Sequence, residues 1–321
     1  MGIKHLNQYF IKNCSPQSIN KISLVDLKEK TIVVDISIYI YKFLVDGQYM
    51  EHLYFFLSLF RYHHIHPIFI FDGKPPPEKW DLIRKRNWDK KSAKIEYSQL
   101  LEKMDGLEID DDMEEKILAL KKRMVSIKDV DLIETKKLIE MFGYNYYDAI
   151  GEADEVCAYF VLHGFAWACL SDDMDMFLYG CPKVIRNLSM MKQEVTIYDT
   201  EKIILDLVLS HMDFVKVILL TGSDYYSENT IGIKSVFDYY RNYQKDTDYS
   251  GVGASDFYEW LRGKINIPID DILYKISDMF ASIKEKPELH IYQELYMKQD
   301  KRRFQFKKIK DLLYPYGFIF I

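Results

Sequence analysis

Two short apolar runs, Thr31-Ile32-Val33-Val34-Asp35 and Pro67-Ile68-Phe69-Ile70-Phe71-Asp72, each end on an aspartate and each lead into helical patterning. Short β-branched and aromatic runs that alternate with helices specify a parallel α/β sheet covered on both faces. A third run, Ala166-Trp167-Ala168-Cys169-Leu170, leads into Ser171-Asp172-Asp173-Met174-Asp175, and weaker strands are expected around Val184-Ile185 and Val195-Thr196-Ile197-Tyr198. Ligands of open parallel sheets sit beyond the carboxyl ends of the strands, so acids recurring there point to one shared site.

With 48% hydrophobic and 29% charged residues among 321, the chain can bury a sizeable core, either as two domains or as one large α/β domain with an appendage. That excludes a disordered or collagen-like chain, and a net charge of −6 excludes a uniformly basic coat for nucleic acid. No apolar run approaches the roughly 18–20 residues that span a bilayer, and the opening Met1-Gly2-Ile3-Lys4-His5-Leu6 lacks a signal-peptide core, so a soluble intracellular protein is expected. Cys14, Cys157, Cys169 and Cys181 form no CxxC pair, which argues against a zinc site or a disulfide framework.

Between the second and third strands lies a charged, mostly helical insertion, about residues 74 to 142. Lys74 to Lys94 holds eight basic residues against three acids, and Lys79, Arg84, Lys85 and Arg86 are among them. Asp105 to Glu115 then reverses sign, with seven acids and no base. Such blocks are commonly solvated helix faces, but these adjoin the acidic strand ends. After residue 200 the pattern is helical: Asp199 or Thr200 is a plausible N-cap, His211 to Leu220 is amphipathic, and a turn at Thr230-Ile231-Gly232 precedes another helix.

The acids in these positions are Asp35, Asp72, Glu152, Asp154, Asp173, Asp175 and Asp224. Crowded into one cleft they would repel each other and raise each other's pKa values unless counter-charge is supplied. An oxygen-only donor set suits Mg²⁺ or Mn²⁺, and two such ions about 4 Å apart are a common device for in-line displacement at phosphorus. In an extended segment Asp173 and Asp175 share a side and Asp172 points away. On a helix Glu152 aligns with Glu155 rather than with Asp154, so spacing leaves the choice between Asp154 and Glu155 open. Aspartates after strands are also frequent helix N-caps, but five separate segments serving only as caps is a much weaker account. Without the seven acids the chain carries a net +1, so local lysine and arginine patches can still hold a polyanion.

Six ordered segments resemble the signature segments of the flap endonuclease family, the XPG-type structure-specific 5′ nucleases: Met1-Gly2-Ile3, Val34 to Tyr41, Phe71-Asp72-Gly73-Lys74-Pro75-Pro76, Gly151-Glu152-Ala153-Asp154, Ser171 to Asp175, and Gly222-Ser223-Asp224-Tyr225. The resemblance runs to about residue 240. It implies a PIN-like α/β core with a twisted, mostly parallel sheet flanked by helices. Residues 1–200 would form the nuclease core, the insertion at 74–142 a helical arch for the single strand, and 201–321 a C-terminal, helix-two-turn-helix-like DNA-binding region.

Carried over, the resemblance makes the seven acids metal ligands, preferring Asp154 to Glu155, for two Mg²⁺ ions that Mn²⁺ can replace. Asp35, Asp72 and Asp173 would be catalytic together with Lys79 and Arg86, which fall where the family grips the scissile phosphate; their spacing of seven puts both on one helix face. Tyr41 would stack on a base beside the scissile bond, and Gly2 would place a freed α-amino group nearby. Lys74, Arg84, Lys85, Gly232 and Lys234 are further expected DNA contacts.

The sequence also departs from the family. Thr230 replaces the first glycine of the family's duplex-binding turn and Ile233 its proline, which removes the basis for expecting a K⁺ site. The stretch from Phe43 to Phe55 is shorter than the family's wedge, and the end, Tyr314 to Ile321, has no sliding-clamp peptide. A compact chain of this kind suits a large DNA virus or a divergent eukaryote, acting in a viral factory, the nucleus or the cytoplasm. The expected function is Mg²⁺-dependent cleavage by a monomer of DNA bearing 5′ flaps, nicks or branched junctions. A non-catalytic DNA-junction binder and a PIN-type ribonuclease are the rival readings, and no membrane partner is expected.

Overall fold

A computed structural model of the chain describes residues 3–103, 111–227, 230–250, 256–265, 269–298 and 302–320. Gly2 and much of the acidic block at 105–110 lie outside the described residues. Among the described residues there are seven strands, β1 (Ile19–Ser23), β2 (Thr31–Asp35), β3 (His66–Phe71), β4 (Asn145–Asp148), β5 (Ala168–Leu170), β6 (Lys183–Ser189) and β7 (Glu194–Asp199). They form one sheet in the order β1-β7-β6-β5-β2-β3-β4. β2 to β6 run parallel, and β7 and β1 close one edge antiparallel.

Alternation within β2 shows why the sheet is covered on both sides. Val33 joins a buried cluster with Ile68, Ile70 and Cys169, whereas Ile32 and Val34 join the opposite one with Phe69 and Leu170. The second cluster is built on α2 (Ile36–Asp46), α3 (Tyr49–Tyr62) and the end of the insertion. The first takes in Phe10 of α1 (Leu6–Asn13), α7 (Ala153–Leu162) and α8 (Asp175–Leu178). The insertion is helical as expected: α4 (Trp80–Lys103), α5 (Asp111–Met124) and α6 (Asp129–Phe142). Beyond the sheet come α9 (Thr200–Asp206), α10 (His211–Leu219), α11 (Ile233–Ser250), α12 (Phe257–Arg262), α13 (Asp271–Ala281), α14 (His290–Met297) and α15 (Phe306–Leu313). Phe214, Val236 and Leu273 from this region share a buried cluster with α7 and β5.

Asp199 is the N-cap of α9 and accepts from the Lys202 amide. The third strand is shorter than the apolar run suggested: Ala166 and Trp167 form its approach, and the Trp167 amide donates to the Thr31 carbonyl. β1 and β4 were not visible in the pattern. Both are edge strands, and β4 is the polar Asn145-Tyr146-Tyr147-Asp148; an edge strand need not carry a continuous apolar run because only part of it is enclosed.

Register brings the carboxyl ends of the central strands level. Asp35 lies opposite Ile70, and Val34 opposite Leu170. Gly73, just past β3, then docks on the loop before α7: its amide donates to the Gly151 carbonyl at 2.8 Å, and the Lys74 amide to that of Ile150 at 3.2 Å. A Cβ at position 73 would collide with the backbone carbonyls of Ala149 and Ile150, so only glycine permits this approach. Gly73→Ala should therefore destabilise the protein by about 2–3 kcal/mol, read as a lowered urea midpoint at unchanged slope.

Candidate active site

Three strand-derived carboxylates meet at the carboxyl edge of the sheet. Asp35 ends β2 and occupies the N-cap position of α2 without capping it, so its side chain is free to turn inward. One of its oxygens accepts from the Ser171 hydroxyl at 3.3 Å. Asp72 accepts from the Ala153 amide at 2.9 Å, which ties the end of β3 to the first turn of α7. Asp173 follows β5, donates its amide N–H to the Ser171 hydroxyl at 3.2 Å, and accepts from the Asp175 amide at 3.1 Å. Ser171 thus links the two loops, although the sequence reading assigned it no role.

Asp173 and Asp175 share a side, but not because the segment is extended. Residues 172–174 are a loop and Asp175 opens α8, and it is the amide-to-carboxylate bond that brings the pair together. Asp172 points elsewhere: it pairs with Lys42 and accepts from the Asn187 amide. Glu152 is likewise not helical. It is the N-cap residue of α7 in extended conformation, so helical spacing does not govern it. Asp154 is buried toward Asp173 and Asp35, whereas Glu155 pairs with Lys286 at 2.7 Å.

Electrostatics mark this cluster as unusual. Burial first, then Asp72 and Asp173, push the Asp35 carboxyl well above the usual range. Asp154 is raised by burial and by Asp173 and Asp35, and Asp175 by burial and by Asp173. Of the eight buried side-chain nitrogen and oxygen atoms without a hydrogen-bond partner among the described residues, four belong to these three aspartates: Oδ1 of Asp35, Oδ1 of Asp154, and both oxygens of Asp175. Orphaned buried carboxylate oxygens are costly, and a hard cation is the partner that would satisfy them.

The chain's own cations supply part of that counter-charge. Lys79 Nζ lies 2.7 Å from Glu152, and Arg86 2.8 Å from Asp224. Burial works against the Lys79 ammonium, but Glu152, Asp175 and Asp154 outweigh it and hold its pKa above the ordinary value. Lys79 sits in a short 3₁₀ turn, Pro77–Lys79, rather than on α4, so the two cations do not share a helix face as their spacing suggested. They reach the cluster separately. Tyr225, which also had no assigned role, donates its hydroxyl to Glu152, lies within hydrogen-bond distance of the Tyr179 hydroxyl at 2.7 Å, and places its ring 4.3 Å from Lys79 Nζ. It stands beside Asp224 in the sequence, which was the available signal. Among the described residues no three acidic, histidine or cysteine side chains converge as a ready-made cage.

The remaining expected contacts surround this centre at varying distance. Tyr41, on α2, donates its hydroxyl to the Lys122 carbonyl of α5 at 3.4 Å. Lys74, Arg84 and Lys85 are exposed, with Arg84 paired to Asp81. Gly232 and Lys234 are exposed at the start of α11. Their turn is fastened to the Asp224 loop: the Ile231 amide donates to the Leu220 carbonyl at 2.8 Å, and the Thr230 methyl would touch a Cβ at Gly222, whose φ is +95°.

An acid whose folded pKa is raised costs stability at neutral pH, where the unfolded chain ionises it freely. Asp175→Asn should accordingly raise the melting temperature of the metal-free protein by a few °C, on the order of 1–2 kcal/mol, in scans with chelator present. An unchanged or lower melting temperature would contradict the account of the buried charge.

Comparison with known proteins gives the lineage. The family signature of the XPG N-terminal domain matches residues 1–93 and that of the XPG I-region residues 143–224, together more than half of the chain. Flap endonuclease 1 of Xenopus tropicalis is 30% identical over 264 residues, covering 76% of this chain and 66% of that protein. Across the first such relatives the chain spans 61% to 68% of their length. Among solved structures, the catalytic core of Rad2 in complex with DNA substrate superposes with a TM-score of 0.65 at 22% identity, covering 96% of this chain and 94% of that one. The Holliday junction-resolving enzyme GEN1, in complex with product DNA and Mg²⁺, gives 0.65 at 18% identity, covering 98% and 73%. The mostly parallel sheet, its helical insertion and both matched regions place the chain in the XPG-type flap endonuclease family.

Proposed function

We propose that this protein is a divalent-metal-dependent, structure-specific 5′ nuclease that hydrolyses one phosphodiester of DNA bearing a 5′ flap, nick or branched junction. The observation that carries this reading is the group of buried aspartate oxygens at the sheet edge that have no partner within the chain. A protein that only bound junctions would gain nothing from such a costly arrangement, and two apolar or amide residues would serve it better. The likeness to flap endonucleases supplies the substrate class.

Asp35, Asp72, Glu152, Asp154, Asp173, Asp175 and Asp224 would hold two Mg²⁺ ions, with Mn²⁺ as substitute. When bound, the ions lower the pKa of coordinated water and neutralise charge on the phosphate and the leaving oxygen. The chain's own groups do the rest. Ser171 fixes the Asp35 carboxylate, and Ala153 fixes Asp72 by its amide. Lys79 and Arg86 exchange their bonds to Glu152 and Asp224 for the non-bridging oxygens of the scissile phosphate, where charge develops. Tyr41 offers a ring for stacking on the neighbouring base, an interaction typically worth about 1–3 kcal/mol. Gly232 and Lys234 would contact the duplex beyond the cut, and Lys74 the single strand. Residues 1–200 act as the nuclease core, with 74–142 as its arch, and 201–321 as the DNA-binding region packed on it; the protein works as a monomer.

The test is cleavage of an end-labelled 5′-flap duplex in Mg²⁺. Wild-type protein should release the flap with a 5′-phosphate product and fall silent in chelator. Asp173→Ala and Lys79→Ala should lose on the order of 10²–10³-fold or more in single-turnover rate. Equal activity, or equal inertness, of wild type and Asp173→Ala would reject the assignment. RNA flaps cut as fast as DNA flaps would favour the ribonuclease reading.

A further inference from the structure

The peptide unit between Asp172 and Asp173 is pinned at both of its polar ends. Its N–H, on Asp173, donates to the Ser171 hydroxyl at 3.2 Å, and its carbonyl, on Asp172, accepts from Nη2 of Arg186 at 2.8 Å. A peptide is planar and turns only about the single bonds that flank it, so fixing both ends fixes where the Asp173 side chain leaves the backbone. The Asp172 side chain adds a second anchor. One of its oxygens pairs with Lys42 of α2, and the other accepts from the Asn187 amide at 2.8 Å.

These bonds take over where the sheet ladder stops. β5 and β6 pair at Cys169–Val184 and Leu170–Ile185, and the Ser171 amide still donates to the Ile185 carbonyl at 3.2 Å. Beyond that point the register of β6 against β7 shifts between Arg186 and Ser189, and Asn187 adopts φ +54°. Irregularities of this kind re-aim the residues that form them. Here Arg186 and Asn187 both reach Asp172, one through its guanidinium and the other through its amide.

Arg186 is otherwise enclosed. It is 8% exposed; Nη1 donates to Oδ1 of Asn7 on α1 at 3.1 Å, and the guanidinium lies 5.5 Å from the Tyr198 ring, whose hydroxyl donates to the same Asn7 oxygen at 2.7 Å. Nε has no partner among the described residues. Burying a guanidinium at that cost is a poor way to fill space, which an apolar side chain does better. A guanidinium kept for a phosphate would stand open to solvent, as the half-exposed Arg86 does.

We infer that Arg186 and Lys42 are positioning residues for the carboxylate cluster: Arg186 through the Asp172 carbonyl, and Lys42 through the Asp172 side chain, hold the loop that presents Asp173. Asp173 is the one carboxylate that acts on Asp35, Asp154 and Asp175 alike, so its aim decides whether the cluster closes on a cation. Loosening the loop weakens the site without removing any of its oxygens. The inference rests on reading the cluster as the divalent-cation site of the proposed nuclease.

The experiment is titration of the metal-free full chain with Mn²⁺, the free ion being followed by electron paramagnetic resonance, alongside flap cleavage in Mn²⁺. Arg186→Met keeps the length of the side chain and removes its donors; it should weaken Mn²⁺ binding about tenfold, and Lys42→Met about fivefold. In cleavage, Arg186→Met should lower kcat about tenfold at limiting Mn²⁺ with KM for the flap within about twofold of wild type, and excess Mn²⁺ should recover most of the loss. Mn²⁺ affinity within about twofold of wild type in Arg186→Met would overturn the inference, and so would a raised KM at unchanged Mn²⁺ affinity, which would make Arg186 a DNA contact. If Arg186→Met does not fold, Lys42→Met decides by the same criterion, since the Lys42 side chain is 46% exposed and its loss leaves the interior intact. Flap cleavage with unaltered Mn²⁺ affinity in both variants would sink this inference and leave the nuclease reading standing. Mn²⁺ binding that depends on Arg186 in a protein inert on flaps would do the reverse.

Discussion

Mutual repulsion among buried carboxylates is the constraint around which this molecule is arranged. Asp35, Asp154 and Asp175 are enclosed, have their pKa values raised by burial first and then by neighbouring carboxylates, Asp173 among them in each case, and leave four oxygens unpartnered. No local preference would assemble them, since each is stable alone as a solvated side chain. The parallel sheet does it by register. β2, β3 and β5 end level, and the loops that follow cannot retreat because Gly73 is fastened to Gly151 and Ser171 bridges Asp35 and Asp173. The fold's apolar free energy, spread over two covered sheet faces, offsets a local electrostatic cost that a smaller domain could not absorb.

How far this was legible in the sequence depended on whether a feature is local. Strands β2 and β3 stood out because buried parallel strands must be continuously apolar, and the acid ending each run marked the site edge. β1 and β4 did not, because their enclosure comes from one neighbour and leaves no apolar signature. The seven acids were findable as a set by position. Their orientations were not: Asp173 and Asp175 converge through a loop hydrogen bond, and Glu152 escapes helical spacing by standing just outside α7. Lys79 and Arg86 were expected on one helical face, yet a single 3₁₀ turn separates their routes to the cluster. Tyr225 and Ser171 reach Glu152 and Asp35 across 73 and 136 residues, contacts that no local periodicity encodes.

Lys79 and Arg86 show how the same charges can serve two states. In the free protein they are the cluster's counter-ions, bonded to Glu152 and Asp224. Under the nuclease reading proposed above, divalent cations held by those carboxylates would free both basic groups for the phosphate. Tyr225 ties the pair together, since its hydroxyl donates to Glu152 and its ring lies 4.3 Å from Lys79 Nζ.

The helix that carries Arg86 extends the same logic outward. One side of α4 is committed to the carboxylates and to α5, and the other is left aromatic and basic in water. A helix used only as a spacer would present charged, flexible side chains there, which keep it soluble at little cost. Trp80 and Trp88 instead leave apolar surface open on that side.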